Sequence, residues 1–441
     1  MNRMLLWMAM GAGLAAGQEA KILPLTLEQA VDLALAPEGA VRLQLAGELI
    51  RQAEAQRGQA RAALLPGMDG AYTFRSFTNN LEAFGVRLEI PGVPFRPPNF
   101  VGPIETSDWR AQFAWNVLDL SAWARYRAAG SRLKAASLEE QAARNRAAAE
   151  VVRAYTNLQR AAQEVATARA NVELAERLRR LAESRKAAGA GTGIEITRAG
   201  VQVANERTRF LAAEESRTAA ELRLLRAMNL PLVTRVQVLD ELKYEPREVP
   251  EPARMMESAR ASRPELRAQQ ERRRAAGLSL TAARRERLPS VQAFGDYGTI
   301  GTTFTSGLPT RSVGVRVNLP VFDGGRRDAR RAESASLARQ EELRTHDVEQ
   351  QVEMEVRLAA EALRLAGAQV QTALEALTLA EQELAHAERR YEAGVAPALE
   401  VVDAQTRVSR AREQRVAALY RHRSARVEVS VATGELDGIL R

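Results

Sequence analysis

The stretch DWRAQFAWNV, Asp108 to Val117, alternates from end to end. Trp109, Ala111, Phe113, Trp115 and Val117 fall on one side, and Arg110, Gln112 and Asn116 on the other. A period of two with aromatics on the apolar side predicts a β-strand. Its length matches the ~9–11 residues with which a tilted strand crosses an outer membrane. The same alternation would suit an ordinary half-buried antiparallel sheet, so the surroundings have to choose between the two.

Working outward, Met68 to Phe77 carries Tyr72, Phe74 and Phe77 between turn-type residues and predicts a second strand. The Pro/Gly-rich segment from Pro91 to Pro103 between the two predicts an exposed loop. The plan then recurs. Leu288-Pro289 repeats Leu65-Pro66, and Leu266 precedes Pro289 by the same spacing as Leu43 precedes Pro66. Ser290 to Ile300 and Arg311 to Leu319 are the matching strands, the latter with Val313, Val315, Val317 and Leu319 opposing Arg316 and Asn318. A half-chain duplication predicts two copies of one structural unit. Four strands are too few to close a barrel, and an open sheet leaves two exposed edges. The edges vanish if several chains each donate four strands to one barrel; three chains would give twelve.

Long helices fill the rest. Thr26-Leu27-Glu28-Gln29 is a capping-box pattern opening a helical stretch to Leu65, with a break near Pro37. From Asp323 to Tyr391 there is no proline, and some 70 residues at a 1.5 Å rise predict a rod of ~100 Å. Its seam follows a 4-3 repeat through Val352, Val356, Ala359, Leu363, Ala366, Val370, Ala373, Leu377, Ala380, Leu384, Ala387 and Tyr391. Leu358, Leu365 and Leu379 begin a second stripe, as expected of a helix packed between two neighbours. The first copy shows a shorter seam in Val151, Tyr155, Leu158, Ala162, Val165 and Val172. Each rod reverses at a small-residue turn, Ala187 to Gly193 or Glu392 to Pro397, and returns as a second helix. The division this predicts is a first repeat over 18–230, a linker over 231–252 and a second repeat over 253–441.

Composition limits the function. The basic residues behind the net charge of +8 are almost all Arg, interleaved with Glu along helical stretches. That pattern is a solvated helix face rather than a nucleic-acid surface. With no cysteine, disulfides, thiolate metal sites and cysteine nucleophiles are excluded. Residues 1–17 read as an export signal: Arg3, the apolar run Met4 to Ala16, then the small residues Ala15-Ala16-Gly17. An N-terminal anchor helix is the alternative. Met255-Met256 fits a buried helix face better than soft-metal handling. No catalytic, cofactor or metal constellation emerges, since His346, His386 and His422 lie far apart and Gly298 to Gly301 lacks the partners of a phosphate loop.

In this order the motifs resemble the TolC-type outer-membrane efflux family over nearly the whole mature length. The carriers are Leu65-Pro66 and Leu288-Pro289, the turn Val321-Phe322-Asp323-Gly324-Gly325-Arg326, and Tyr391-Glu392-Ala393-Gly394 followed by Leu399-Glu400-Val401-Val402-Asp403-Ala404-Gln405. The resemblance implies a mostly α fold with a small β portion: a homotrimer whose twelve-stranded outer-membrane barrel continues into an α-helical coiled-coil tunnel in the periplasm. It implies an exit duct of a tripartite efflux or type I secretion system, with a periplasmic adaptor and an inner-membrane pump or ABC exporter as partners. Trp109, Phe113, Trp115, Val313, Val315 and Val317 would face lipid. Residues 231–252 would form the equatorial region.

The resemblance also implies site residues. Glu400 and Asp403 stand where acidic residues ring the periplasmic entrance, although first-turn acids favoured by the helix dipole explain Glu195 and Glu400 equally well. Asp403 has Arg198 as its first-copy counterpart. Tyr391 and Glu195 match positions whose contact holds the entrance closed; Tyr391 is also simply the last residue of the seam. Ala396 stands where related gates place an arginine. Gly189, Gly191, Gly193 and Gly394 would form the adaptor-docking tips. Two other classes compete, an exported periplasmic adaptor and an exported structural coiled coil. The duplication and the aromatic strands disfavour both.

Overall fold

The computed structural model describes residues 22–85, 100–189, 191–246 and 250–435. The expected export signal lies outside them, as do residues 91–99 of the expected loop. Two compact units are present, each drawing on both halves of the chain: one from Met1–Glu48, Leu138–Leu266 and Val348–Arg441, the other from Leu49–Ser137 and Arg267–Asp347.

The second of these units holds the sheet. Strands β2 (Gly67–Asn80), β3 (Phe100–Leu118), β5 (Ser290–Gly301) and β6 (Leu308–Asn318) pair antiparallel in the order β2-β3-β5-β6. All four expected strands are present, and β3 is longer than its alternating core suggests. It begins at Phe100, so Pro103 belongs to the strand and not to the loop. Proline cannot donate to a ladder, and the chain accommodates it where the β2–β3 register slips between Phe77 and Asn79. β6 ends one residue before Leu319. The Leu-Pro strand entries follow helices α2 (Val41–Ala62) and α6 (Pro264–Arg285). α2 ends three residues short of Leu65, in a turn whose Leu64 carbonyl accepts the Trp115 indole N–H at 3.1 Å.

In the other unit, α1 (Leu27–Leu35) starts at Thr26 with the expected capping box: the Thr26 hydroxyl accepts from Gln29 N and the Gln29 side chain accepts from Thr26 N. Beside it, β1 (Ile22–Leu25) pairs parallel with β4 (Arg235–Val238). Each strand is too short to show a periodicity of its own, and β4 lies within the expected linker over 231–252. They join one core with the long helix α3 (Leu120–Ala187) and the end of α4 (Gly193–Ala227), through Leu25, Val31, Val151, Tyr155, Leu158, Leu224 and Leu225. The fully buried Tyr155 hydroxyl lies 2.7 Å from Asp240 Oδ2 and 2.9 Å from the Leu25 carbonyl. Asp240 Oδ2 also accepts the Leu27 N–H at 2.9 Å, tying β1, α1 and the end of β4 to one helix. Burial, and after it the Asp240 carboxylate, hold the Tyr155 phenol well above its usual range, so it stays a donor.

Two helical hairpins follow the strands, α3 with α4 and α7 (Arg326–Glu392) with α8 (Ala398–Thr433). α5 (Pro252–Ser262) buries Met255 against α7 and α8. Asp323 caps α7, its carboxylate accepting the Arg327 N–H at 3.2 Å. Every expected seam residue of α7, from Val352 to Tyr391, is buried. Alternate Ala at the seam lets the neighbouring helices approach closely. The first-copy seam differs: Val151, Tyr155 and Leu158 are buried, but Ala162, Val165 and Val172 are only half-buried, and Thr167, Asn171 and Leu174 take their place. α3 meets both α4 and α8, at Glu176–Arg207 and Asn171–Arg412, so its buried stripe drifts instead of holding a strict heptad. Leu358, Leu365 and Leu379 stay exposed in the single protomer.

Candidate gate and the two faces of the sheet

Because strands alternate, the register sorts every sheet residue onto one of two faces. One face is apolar and open: Met68, Tyr72, Trp109, Trp115, Val313, Val315 and Val317 are all exposed, Val313 at 88%, and Phe113 is half-buried. Rings gather at the loop end, where Trp109 lies 5.5 Å from Tyr72 and 5.8 Å from Phe304. Trp115 lies six residues along the strand, or ~20 Å, towards the exposed Val321 and Phe322 that follow β6. Between two aromatic zones this face is apolar apart from the exposed Arg311, which stands opposite Tyr297. The other face is polar. Asp69, Gln112, Asp296 and Ser312 form one row across all four strands. Arg110 bonds Asp296, reaches Asp108 at 3.2 Å and Thr310 Oγ1 at 3.4 Å. Among the described residues, β2 and β6 each keep one unpaired edge.

The hairpin turns carry the second constellation. Gly189 and Gly394 end their helices at φ +76° and +77°, a left-handed conformation that only glycine adopts without strain. Gly191 lies in the first connector and Gly193 opens α4. Ile194, Val395 and Leu399 are exposed around them. Tyr391, buried at the end of α7, donates its hydroxyl to Glu195 Oε2 at 3.1 Å. Glu195 and Glu400 occupy the first turns of α4 and α8. Burial, followed by the bond to Glu195, raises the Tyr391 phenol above its usual range.

The expected site residues do not form one cluster. Tyr391 and Glu195 meet. Glu400 instead pairs with Arg390 Nε at 3.3 Å on its own hairpin. Asp403 is exposed, one turn further along α8, and no ion pair reaches it among the described residues. A residue that the motifs do not point to joins Tyr391: the guanidinium of Arg185 lies 4.2 Å from the centre of its ring. In sequence Arg185 is a basic residue in the last turn of a helix, which the helix dipole explains by itself. Nothing local marks its partner on the other hairpin.

Buried charge also lies further along α4. Glu206 is fully buried at a seam position, accepting from Gln202 Nε2 at 2.8 Å and Arg209 Nη1 at 3.2 Å. Desolvation is the main cause raising its carboxyl above the ordinary range.

Comparison with known proteins agrees with this architecture. The family model for outer membrane efflux protein matches residues 36–230 and 255–435. The protein CyaE of Bordetella pertussis is 28% identical over 426 residues, which is 93% of this chain and 84% of that protein. The Campylobacter jejuni CmeC outer membrane channel superposes with a TM-score of 0.80 at 19% identity, covering 93% of this chain and 85% of the other. The outer membrane protein VceC of Vibrio cholerae superposes with a TM-score of 0.77 at 20% identity, covering 92% and 96%. At such identities the superpositions establish the fold, which is that of channels and not of enzymes. The chain belongs to the outer membrane efflux protein family, as an exit duct of the outer membrane that extends into the periplasm.

Proposed function

We propose that three copies of this chain close one twelve-stranded barrel in the outer membrane and continue it as a helical tunnel. The duct would pass cargo delivered by an inner-membrane pump or ABC exporter through a periplasmic adaptor. The observation that carries the reading is the two-faced, four-stranded sheet with two open edges. Such a sheet is an association site until its edges are paired. Pairing β6 of one copy with β2 of the next removes all of them. The apolar face, with Trp109, Phe113, Trp115, Val313, Val315 and Val317, would then meet lipid, and the row from Asp69 to Ser312 would line water. Against the single-hairpin adaptor and the structural coiled coil, the chain has two hairpins and this sheet. No nucleic acid or cofactor is part of the reading.

The gate is assigned to the hairpin turns, through Tyr391, Glu195, Glu400 and Asp403, and adaptor docking to the glycine turns at Gly189, Gly191, Gly193 and Gly394. The exposed Ile194, Val395 and Leu399 give those tips an apolar surface suited to a helical partner. Threefold symmetry would bring six carboxylates from Glu400 and Asp403 to one ring, which attracts cations. Because Arg390 offsets Glu400, Asp403 should carry more of the preference. Asp403→Asn should lower cation-over-anion selectivity, measured as the reversal potential across a salt gradient in planar bilayers, more than Glu400→Gln does. An unchanged reversal potential in the double variant would remove the ring from the account.

A further inference from the structure

Tyr391 leaves the second hairpin and enters between the two arms of the first. Arg185, in the last turn of α3, covers its ring face at 4.2 Å, while Glu195, in the first turn of α4, accepts its hydroxyl at 3.1 Å. The Tyr391 side chain is sheltered, with the residue only 4% exposed. A cation over an aromatic face gains most when water is kept away. The two contacts also support each other: a carboxylate accepting the phenol proton pushes electron density into the ring that the guanidinium faces. The second turn is close as well, since a side-chain carbon built at Gly394 would lie 3.9 Å from an Arg185 guanidinium nitrogen. The second turn itself offers no cation at Ala396, which is buried and has only a methyl group.

We propose that Arg185 is a positioning residue of the gate, clamping Tyr391 of the second hairpin against Glu195 of the first within one protomer. The cation that faces the Tyr391 ring comes from the first hairpin. This inference rests on the reading of the hairpin turns as the gate. The clamp has two separable legs. Tyr391→Phe removes the hydroxyl bond and keeps the ring under Arg185; Arg185→Met removes the cation and keeps the hydroxyl bond; Tyr391→Leu removes both.

The test is the resting conductance of the full-length channel in planar bilayers, with assembly checked by mobility on unheated gels. Arg185→Met should shift the open-to-closed ratio by roughly fivefold towards open. Tyr391→Phe should have a smaller effect and Tyr391→Leu the largest. Adding Arg185→Met to Tyr391→Leu should change nothing further, because the ring it acts through is gone. Arg185→Lys, which keeps the charge without the planar guanidinium, should fall between wild type and Arg185→Met. It also serves as the informative variant if Arg185→Met does not assemble. Wild-type conductance in the Arg185 variants with a raised value in Tyr391→Leu would overturn the role of Arg185 and leave the gate standing. So would a full additional effect of Arg185→Met on Tyr391→Leu. Wild-type conductance in every variant would overturn the gate reading and this inference together.

Discussion

Val313→Arg should remove the assembled protein from the outer membrane, while Ser312→Arg, one residue away, should leave it there. Val313 is the most exposed of the β6 valines and points from the apolar face, in register with Gly295 and, one strand on, Phe113. An arginine near the bilayer midplane costs roughly 2–4 kcal/mol on a barrel's lipid face, and a trimer repeats that cost in every copy. Ser312 points the other way, in the row with Asp296 and Asp69. A guanidinium there meets carboxylates and water. The measurement is the amount of heat-modifiable oligomer in the outer-membrane fraction. Equal loss in both variants would mean that the two faces do not differ in environment, and the assignment of lipid and lumen would fail.

Tyr155→Ala should loosen the unit built around β1, β4 and α1. Tyr155 is a large, fully buried side chain, and truncating an aromatic of this size in a core costs about 3–5 kcal/mol. The change also strips Asp240 and the Leu25 carbonyl of a donor. Tyr155→Phe keeps the ring and loses only the hydroxyl bond, a difference of about 0.5–1.5 kcal/mol. Thermal unfolding of the extracted protein, followed by circular dichroism, should therefore rank wild type, Phe and Ala in that order with the larger step to Ala. If the Phe variant were as unstable as Ala, the hydrogen bond and not the packing would be holding this core.

These cases show what the residues made legible. Strict alternation over Asp108 to Val117 and the 4-3 repeat from Val352 to Tyr391 are local signals repeated many times, and the strand and the buried seam both follow them. The capping box at Thr26 is equally local and equally readable. The parallel pairing of Ile22–Leu25 with Arg235–Val238 was not readable, since neither four-residue segment carries a pattern of its own and the partners are distant in the chain. α3 departed from its expected seam because it serves two neighbours at once. At the hairpin turns, the family motif points to Tyr391, Glu195, Glu400 and Asp403. Only tertiary placement adds Arg185 above the Tyr391 ring and sets Arg390 against Glu400. Both arginines look in sequence like ordinary ends of helices.

In the proposed assembly, one chain supplies a third of a closed barrel. Native mass spectrometry of the protein extracted from the outer membrane in detergent tests it most directly. A complex of three identical chains should be found, the number that turns four strands with two open edges into a closed twelve-stranded cylinder. A stable monomer or dimer released from the membrane would contradict it.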